Sequence, residues 1–401
     1  MKTERHTFPN SEGLQLSARL DLPGVGVPHA YAIFAHCFTC GKDLKAIGHI
    51  SEALTALGIG VFRFDFAGLG QSEGAFGDST FSSNVDDLYR AAVYLESIAA
   101  GPQILIGHSL GGAAVLRAAP LIESVKAVAT IGAPSDPVHL THLLADKLDE
   151  IKSSGEATVS LAKRDFLIKQ SFIDDLEKVS TGEATGKIGK ALLILHSPVD
   201  EFVGVENAAE IYGRAKHPKS FISLDDADHL LTKERDSKYA ARTIAAWSAR
   251  YLEIENPEED PDITIVRLEG RGFQTDVLAG GHRLIADEPI EAGGTNLGPA
   301  PYDFLIASLG TCTAMTLRIY ADRKKWPLKA VEVRLRHQRI DAEDCGDCES
   351  EDGQVHLIDR ELILEGDLTV EQRVRIAEIA DKCPLHRTLE AEIKVKTHLK
   401  L

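Results

Sequence analysis

Apolar residues follow one repeating arrangement in the first part of this chain, up to about residue 252. Short apolar runs typical of buried strands alternate with longer segments whose apolar residues recur at helical spacing. An opening alternation over residues 7–22 predicts a strand hairpin. Buried strands are predicted at 31–38, 61–66, 104–106, 125–131, 191–196 and 221–224, and helices at 44–57, 80–99, 205–215 and 233–251. Such alternation gives a mostly parallel sheet covered on both faces, so residues 1–252 are predicted to form a doubly wound α/β domain.

The repeating arrangement breaks between about residues 137 and 180. Two segments there, DKLDEIK and FIDDLEK, have helical spacing, and we predict helices without an intervening strand. An insertion at this point lies above the ends of the strands, where it would shape a substrate pocket as a small cap. Plain connecting helices are the alternative, and the sequence does not choose between the two.

A different and smaller domain is predicted after an acidic, proline-containing segment, EIENPEEDPD at 253–262, which is typical of a solvated linker. Short alternating strands are predicted next, followed by one long and mostly apolar helix. The predicted elements are strands at 263–269, 273–279 and 282–286, a helix at 301–325, strands at 330–339 and 355–364, a helix at 369–381 and a strand at 392–398. Residues 263–401 are therefore predicted to form an α+β domain.

The composition limits the classes of partner. A formal net charge of -17 over 401 residues argues against binding to nucleic acid or to an anionic membrane. The first residues are polar and no apolar run approaches the length of a membrane span, so we expect neither a signal peptide nor a membrane helix. A cytoplasmic location is the expectation. Six cysteines in such a chain indicate thiols or core residues rather than a disulfide framework.

A glycine-rich turn joins the strand at 104–106 to the helix that follows. Its sequence is GHSLG at 107–111, the G-x-S-x-G pattern of a nucleophile elbow, in the strand, turn and helix context that this motif requires. Glycine at both ends lets the strand and the helix approach where a Cβ atom would clash. The elbow strains the backbone at the serine and exposes it above the sheet. Ser109 is therefore the candidate nucleophile.

A serine hydroxyl is a weak nucleophile until an imidazole takes its proton, so a base and an orienting acid are needed. Asp200 follows the strand at 191–196, and His229 follows the strand at 221–224. The carboxyl ends of parallel strands meet at one edge of the sheet, which is where we expect both side chains to join Ser109. Asp228 is the poorer acid, because adjacent side chains rarely face each other.

Residues 5–252 resemble the α/β-hydrolase family through HCF at 36–38, DFAGLGQSEG at 65–74, GHSLGG at 107–112, HSPVDEFV at 196–203 and DADHLL at 226–231. The resemblance implies a serine hydrolase for an ester, thioester or other small acyl compound, with no cofactor and no metal ion. It also implies an oxyanion hole formed by the backbone N–H groups of Leu110 and Phe38. Cys37 stands where the family usually has glycine. With Cys40 it forms a C-x-x-C pattern, which is weak support for redox or metal chemistry.

Residues 263–401 resemble the OsmC/Ohr family of thiol peroxidases through LGTCTAMTLRIYADRKKWPL and KCPLHR, and the whole chain resembles α/β-hydrolase and OsmC fusion proteins. The resemblance implies that Cys312 attacks an organic hydroperoxide and that Cys383 resolves the product, with a thiol as reductant. It also implies a homodimer joined through this domain. Tyr302 stands at the family's glutamate position, with Asp303 beside it. Arg271 and Arg283 are candidates for its arginine.

A second C-x-x-C pattern, Cys345 and Cys348, lies in an acidic segment. It is half of a zinc site without an obvious second half, or else a mobile or redox loop. Three functions remain open for the chain. The second domain reduces peroxide beside an active hydrolase, or it is a dimerising or ligand-binding module beside that hydrolase, or the hydrolase fold is inactive and only binds. The complete set of Ser109, Asp200 and His229 argues against the third.

Overall fold

The computed structural model describes residues 1–37, 40–161, 164–179, 181–252, 262–344 and 353–400. The chain divides into two units: residues 1–269 with 276–284, and residues 270–275 with 285–401. The sequence places all of residues 263–284 in the second domain, whereas the contacts group most of them with the first unit. The guanidinium of Arg283 donates hydrogen bonds to the backbone oxygens of Val25 and Val27, which ties this segment to the first unit.

The first unit contains the elements that the sequence predicts there, with small shifts at their ends, and a few more. Its strands are β1 (Lys2–Pro9), β2 (Gln15–Leu22), β3 (Ala30–Ala35), β4 (Ile59–Phe64), β5 (Ile104–His108), β6 (Ala127–Ile131), β7 (Glu156–Leu161), β8 (Arg164–Lys169), β9 (Ala191–His196) and β10 (Lys219–Ser223). Its helices are α1 (Lys45–Ala56), α2 (Phe81–Ile98), α3 (Leu110–Ala118), α4 (Leu140–Leu143), α5 (Leu148–Ser154), α6 (Gln170–Lys178), α7 (Thr181–Gly186), α8 (Glu206–Arg214) and α9 (Glu234–Ser248).

Eight of these strands form one sheet in the order β1-β2-β4-β3-β5-β6-β9-β10. The pairs β1/β2 and β2/β4 are antiparallel, and the strands from β4 to β10 in that order are parallel. Apolar residues of α1 and α9 pack on one face, and those of α2 and α3 pack on the other. Each valine, leucine, isoleucine or phenylalanine side chain buried in this way contributes about 1.5–3 kcal/mol. The predicted doubly wound, mostly parallel fold is confirmed.

Parallel pairing brings the carboxyl ends of β3, β5, β6, β9 and β10 to one edge of the sheet. The loops at this edge carry Ser109 after β5, Asp200 after β9 and His229 after β10. The strand order therefore places three residues that are far apart in sequence on neighbouring loops.

The prediction of helices alone between residues 137 and 180 is wrong. Helix α5 ends at Gly155, whose φ of 84° belongs to the left-handed region that suits glycine. Strands β7 and β8 then pair as an antiparallel hairpin. Ala157, Val159, Phe166 and Ile168 are buried members of its alternating pattern. This alternation of buried and exposed residues is typical of strands, and it occurs between the two segments whose spacing indicated helices. The middle of the insertion is therefore a hairpin.

The second unit is built around one long helix. Its elements are α10 (Pro301–Lys324), β14 (Leu328–Asp341), β15 (Gln354–Gly366), α11 (Val370–Ala380) and α12 (Pro384–Leu389). The three short strands that come earlier in the chain, β11 (Ile265–Leu268), β12 (Thr275–Ala279) and β13 (His282–Ala286), form a separate sheet, and most of their residues are grouped with the first unit. Strands β14 and β15 pair antiparallel, and the core joins Leu317 and Ala321 of α10 to Ile376 and Ile379 of α11. A smaller α+β domain after the hydrolase-like fold is confirmed.

The predicted last strand at 392–398 is absent from the structure. Residues 391–400 have no regular structure and are exposed, including Ile393 at 59% and Val395 at 84%. A strand is stable only when a neighbour satisfies its backbone groups, and no strand of the described part of the chain pairs with this segment. Alternation alone is therefore not enough to form a strand here.

Helix α10 is, by length and composition alone, apolar enough to cross a membrane. This contradicts the expectation that no stretch of the chain has that length. The same composition occurs in core helices of globular domains, and Leu309, Thr313, Leu317 and Ala321 of this helix are buried. The finding is weak evidence for a membrane span.

Candidate active site

Ser109 lies at the elbow between β5 and α3, with a φ of 55°. A residue with a side chain rarely adopts a positive φ, and such strain collects at functional sites. A Cβ atom at Gly107 would lie 2.3 Å from the Gly111 oxygen, and one at Gly111 would lie 2.3 Å from the Ala35 oxygen. Gly107 therefore lets β5 approach α3, and Gly111 lets α3 pack against β3.

Ser109, His229 and Asp200 form one chain of hydrogen bonds. The Ser109 hydroxyl lies 3.1 Å from His229 Nε2, and His229 Nδ1 donates to Asp200 Oδ2 at 2.7 Å. Because Nδ1 holds its proton toward the carboxylate, the lone pair of Nε2 faces the serine. The arrangement can accept the proton of Ser109 and hold the resulting positive charge against Asp200.

The carboxylate of Asp200 is held ionised. Its side chain is 2% exposed, and burial by itself would raise its pKa. Hydrogen bonds from His229 and from the backbone N–H groups of Val203 and Phe202 outweigh burial and hold the pKa of Asp200 below its ordinary value. Asp228, the rejected alternative, instead accepts hydrogen bonds from Leu230 N–H and Thr232 in its own turn.

His108 is part of the site, although the sequence gave no reason to select it beyond its place before Ser109. Its Nε2 donates to the backbone oxygen of His229 at 2.6 Å, and the two rings lie 5.0 Å apart. Burial, followed by the charge of His229, lowers the pKa of His108 to about 3. The ring is therefore neutral near pH 7 and acts as a fixed donor that anchors the loop of His229.

The residues predicted to form the oxyanion hole are only partly described. Leu110 is the first residue of α3, so its N–H group is one of the four that a helix start leaves without an intrahelical acceptor. Phe38 lies outside the described residues, and its role stays a prediction. Cys37 and Cys40 are joined by a disulfide with a Cα–Cα distance of 5.3 Å, although the sequence favours thiols. That separation is within the usual range for a disulfide.

Strand β8 of the insertion lines a cavity, but none of Ser109, Asp200 and His229 lines it, so the choice between a cap and plain connecting elements stays open. A cavity of about 300 Å³ lies between the loop after β4 and strand β8. Phe76, Phe166 and Leu167 supply apolar lining, whereas Asp78 and Lys169 form an ion pair in its wall. Near the histidine, the ring of Phe202 is 56% exposed and lies 5.3 Å from the ring of His229.

In the second unit, Cys312 and Cys383 are both free thiols. Cys312 is partly buried on α10, and Cys383 is fully buried before α12. The Cys383 sulfur accepts a hydrogen bond from His386 N–H and lies 3.7 Å from the hydroxyl of Thr313, the residue after Cys312. The structure therefore brings Cys383 to the neighbour of Cys312.

Arg360, which the sequence did not single out, contacts Thr313 between the two cysteines and is ion-paired with Asp381. Its guanidinium donates to the Thr313 hydroxyl and to the backbone oxygen of Ala380, both at 3.2 Å. Arg283 instead donates to backbone oxygens of the first unit. Cys383 is close to Arg360 only because β15 and α11 pack together, which spacing in the sequence does not reveal.

The two residues at and beside the family's glutamate position have other partners. The ring of Tyr302 stacks on His337 at 4.4 Å, and the Asp303 carboxylate accepts from Ala300 N–H at the start of α10. No cluster of three or more histidine, cysteine or acidic residues suited to a metal ion occurs among the residues that the structure describes. Cys345 and Cys348 lie outside them, so the zinc half-site stays a prediction.

The eight-stranded sheet, the elbow and the hydrogen-bonded serine, histidine and aspartate at one sheet edge define the class as an α/β hydrolase. The family described as "Serine aminopeptidase, S33" matches residues 28–138, and "OsmC-like protein" matches residues 294–398. The mitochondrial palmitoyl-protein thioesterase ABHD10 of Mus musculus is 30% identical over 211 residues, which are 51% of this chain and 69% of that protein.

Solved structures agree with this class. The esterase domain of a Rhodothermus marinus protein has 46% sequence identity and a TM-score of 0.53, and the match covers 63% of this chain and 100% of that one. Alpha/beta hydrolase domain-containing protein 10 from mouse has 25% identity and a TM-score of 0.53, with 62% of this chain and 99% of that one covered. The chain therefore belongs to the α/β-hydrolase family and carries an OsmC-like domain after its esterase- or thioesterase-type hydrolase.

Proposed function

We propose that the first unit hydrolyses carboxylic esters or thioesters of small acyl groups, with Ser109 as nucleophile, His229 as general base and Asp200 as orienting acid. The observation that carries the proposal is the continuous hydrogen-bonded chain from the Ser109 hydroxyl through His229 to the buried carboxylate of Asp200. The three residues act as a catalytic triad.

The reaction proceeds through an acyl-enzyme. His229 Nε2 takes the proton of Ser109 as its oxygen attacks the carbonyl carbon, and the backbone N–H groups of Leu110 and Phe38 stabilise the negative oxygen. His229 then gives the proton to the leaving alcohol or thiol. Water attacks the acyl-enzyme by the same route, which releases the acid and restores Ser109. Asp200 stabilises the imidazolium and fixes its orientation without taking a proton itself.

The substrate class rests on the site and on the relatives. An elbow serine with an adjacent base attacks carbonyl groups. The alcohol of an ester or the thiol of a thioester is a better leaving group than the amine of an amide. The similar proteins are named as an esterase domain and as a palmitoyl-protein thioesterase.

The experiment is a screen of nitrophenyl acyl esters and acyl thioesters with the full chain. Replacing Ser109 by alanine should lower kcat by several orders of magnitude, because the covalent route is lost. Ser97→Ala, an exposed serine on α2, is the matched control and should leave kcat unchanged. Substantial ester turnover by purified Ser109→Ala protein would refute the proposal.

We also propose that two copies of the chain associate through the second unit. Met315 and Ile319, one turn apart on α10, are 65% and 68% exposed, and Val370 and Val374 on α11 are 72% and 56% exposed. Uncovered apolar helix faces of this kind mark association surfaces. A homodimer covers the same face on both copies.

Peroxide reduction by the second unit is the second candidate function. It is supported by the place of Cys383, 3.7 Å from the hydroxyl of Thr313, the residue after Cys312, and by the Arg360 guanidinium, which donates to the same hydroxyl. The Cys312 thiolate would attack the O–O bond of an organic hydroperoxide, which releases an alcohol and leaves a sulfenic acid. Cys383 would then condense with it to a disulfide and water, and a thiol would reduce the disulfide.

Mass spectrometry of the full chain after treatment with an organic hydroperoxide tests this second function. A peptide pair joined through Cys312 and Cys383 is the expected product. If both cysteines stay reduced while Cys345 or Cys348 oxidises, the second unit is a dimerising or ligand-binding module instead.

A further inference from the structure

A buried ion pair lies below the loop that follows β3. The side chain of Lys42 is 1% exposed, and its Nζ atom lies 2.6 Å from Asp65 Oδ2 and 3.1 Å from Gln71 Oε1. Burying an ammonium group and a carboxylate costs several kcal/mol for each, and an apolar pair of similar volume is often as stable. Stability alone therefore does not account for a lysine at this position.

The backbone of Lys42 is held as well as its side chain. Asp65 Oδ1 accepts a hydrogen bond from the Lys42 N–H group at 2.7 Å. Arg63 donates to the Lys42 carbonyl oxygen at 2.6 Å, and its guanidinium is itself held by Asp21 at 2.6 Å. Both backbone polar groups and the ammonium of one residue are thus fixed to residues at the end of β4.

The carboxylate of Asp65 is enclosed on its other side too. Its Oδ2 atom accepts from Gln71 N–H at 3.0 Å. A Cβ atom at Gly70 would lie 2.2 Å from the same oxygen, and one at Gly41 would lie 3.1 Å from Oδ1. The two loops therefore approach the carboxylate more closely than residues with side chains allow, and its position is strongly determined.

The segment anchored by Lys42 leads directly to the elbow. His36 is 1% exposed, and its Nδ1 donates to the Cys37 oxygen at 2.8 Å. A Cβ atom at Gly111 of the elbow would lie 2.5 Å from the His36 oxygen, so the segment packs against the start of α3 without a gap. The disulfide between Cys37 and Cys40 shortens the connection to Lys42 further. A shift of Lys42 is consequently transmitted to the backbone beside Ser109.

We propose that Lys42 and Asp65 are positioning residues of the hydrolase site: their buried ion pair fixes residues 40–42, which the disulfide of Cys40 joins to Cys37 and to the backbone that packs against the elbow. This inference rests on the proposed function, which takes its second oxyanion donor from the residue after Cys37. Donors stabilise the oxyanion only when they are held in place before the reaction. Displacing such a group by about 1 Å costs on the order of 100-fold in rate.

The test compares Lys42→Met with Lys45→Met, an exposed lysine at the start of α1, in the full chain. With a nitrophenyl acyl ester, Lys42→Met should lower kcat by about 10- to 100-fold and leave KM within about twofold. The affinity for a boronic acid that forms a tetrahedral adduct with serine should fall by a similar factor, whereas Lys45→Met should match the unchanged protein in both measurements.

A double variant, Lys42→Met with Asp65→Asn, covers the case in which the single change leaves the charge of Asp65 buried without a partner and the chain fails to fold. The uncharged amide removes that charge, and its oxygen can still accept the hydrogen bond from the Lys42 N–H group, so the double variant should fold and still show the lower kcat and the weaker boronic acid binding. If a folded single or double variant keeps the original kcat, or changes only KM, the positioning role is wrong.

The two proposals fail in distinguishable ways. Ester turnover by Ser109→Ala would overturn the proposed function and, with it, this inference. An inactive Ser109→Ala beside fully active Lys42 variants would overturn only the positioning role of the ion pair.

Discussion

The two units of this chain differ in how many contacts a single copy supplies around the candidate reactive side chains. In the first unit, hydrogen bonds join Ser109 to His229 and His229 to Asp200, and His108 anchors the backbone of His229. In the second unit, Cys383 contacts Thr313 beside Cys312, and long apolar side chains of α10 are uncovered. The comparison indicates that the hydrogen-bonded hydrolase site is complete within one chain, whereas the OsmC-like domain leaves apolar helix surface that a second copy covers in the proposed association.

Asp200→Asn should have the largest effect on the hydrolase side of this comparison. An amide in place of the carboxylate loses the charge that stabilises the imidazolium and favours the wrong tautomer of His229, so kcat for ester hydrolysis should fall roughly 10³- to 10⁴-fold. Steady-state kinetics measure this. Asp228→Asn is the matched control, because this neighbouring carboxylate only caps its own turn, and it should stay within about threefold. Equal losses in the two variants would move the acid away from Asp200.

Ile319→Glu should have the largest effect on the second unit. A charge in the middle of the uncovered face of α10 must be desolvated when two copies associate, so the dimer should dissociate at least about 100-fold more readily. Light scattering over a concentration series measures the change. Leu121→Glu, at a residue that is 60% exposed in the first unit, is the control and should remain dimeric. A monomeric unchanged protein at micromolar concentration would contradict the association itself.

His108→Phe should have a smaller effect, about tenfold on kcat, because it removes only the hydrogen bond that anchors the loop of His229. Since His108 titrates at about 3 when folded and at 6.5 when unfolded, the unfolded chain binds more protons between these values, and stability falls as the pH decreases below 6.5.

Burial also lowers the pKa of His36 and His196, so the contribution of His108 is isolated by comparing the chain with His108→Phe. Between pH 6.5 and pH 5, His108 should lower the free energy of unfolding by about 2 kcal/mol. The free energy of unfolding of His108→Phe should fall by that much less over the same pH range. Denaturant unfolding at the two pH values measures it. An identical acid loss in both proteins would show that His108 is not the buried neutral group described here.

Much of the hydrolase fold could be predicted because strand and helix periods are local. The loops of Ser109, Asp200 and His229 could be placed at one edge because each residue follows a buried parallel strand. The hairpin of β7 and β8 was missed because its two-residue period is short and lies between segments with helical spacing. The strand at 392–398 was predicted in error, since alternation does not reveal whether a partner strand exists.

The contacts that only folding creates could not be predicted. Lys42 meets Asp65, and Arg360 reaches Thr313, across 23 and 47 positions of the sequence. The spacing of apolar residues in the sequence does not reveal such pairs, because the residues meet only when the elements that carry them pack together. A buried lysine has the same letter code as a solvated one, and only its surroundings show that it is enclosed.

The central claim is that Ser109 is the nucleophile of the hydrolase unit. The most direct measurement is intact-protein and peptide mass spectrometry after reaction with a fluorophosphonate ester, which phosphonylates a serine activated by a neighbouring base. The account predicts one adduct per chain on the peptide that contains Ser109, with ester hydrolysis lost in proportion to labelling. An adduct on another residue, or full labelling of Ser109 with undiminished hydrolysis, would contradict it.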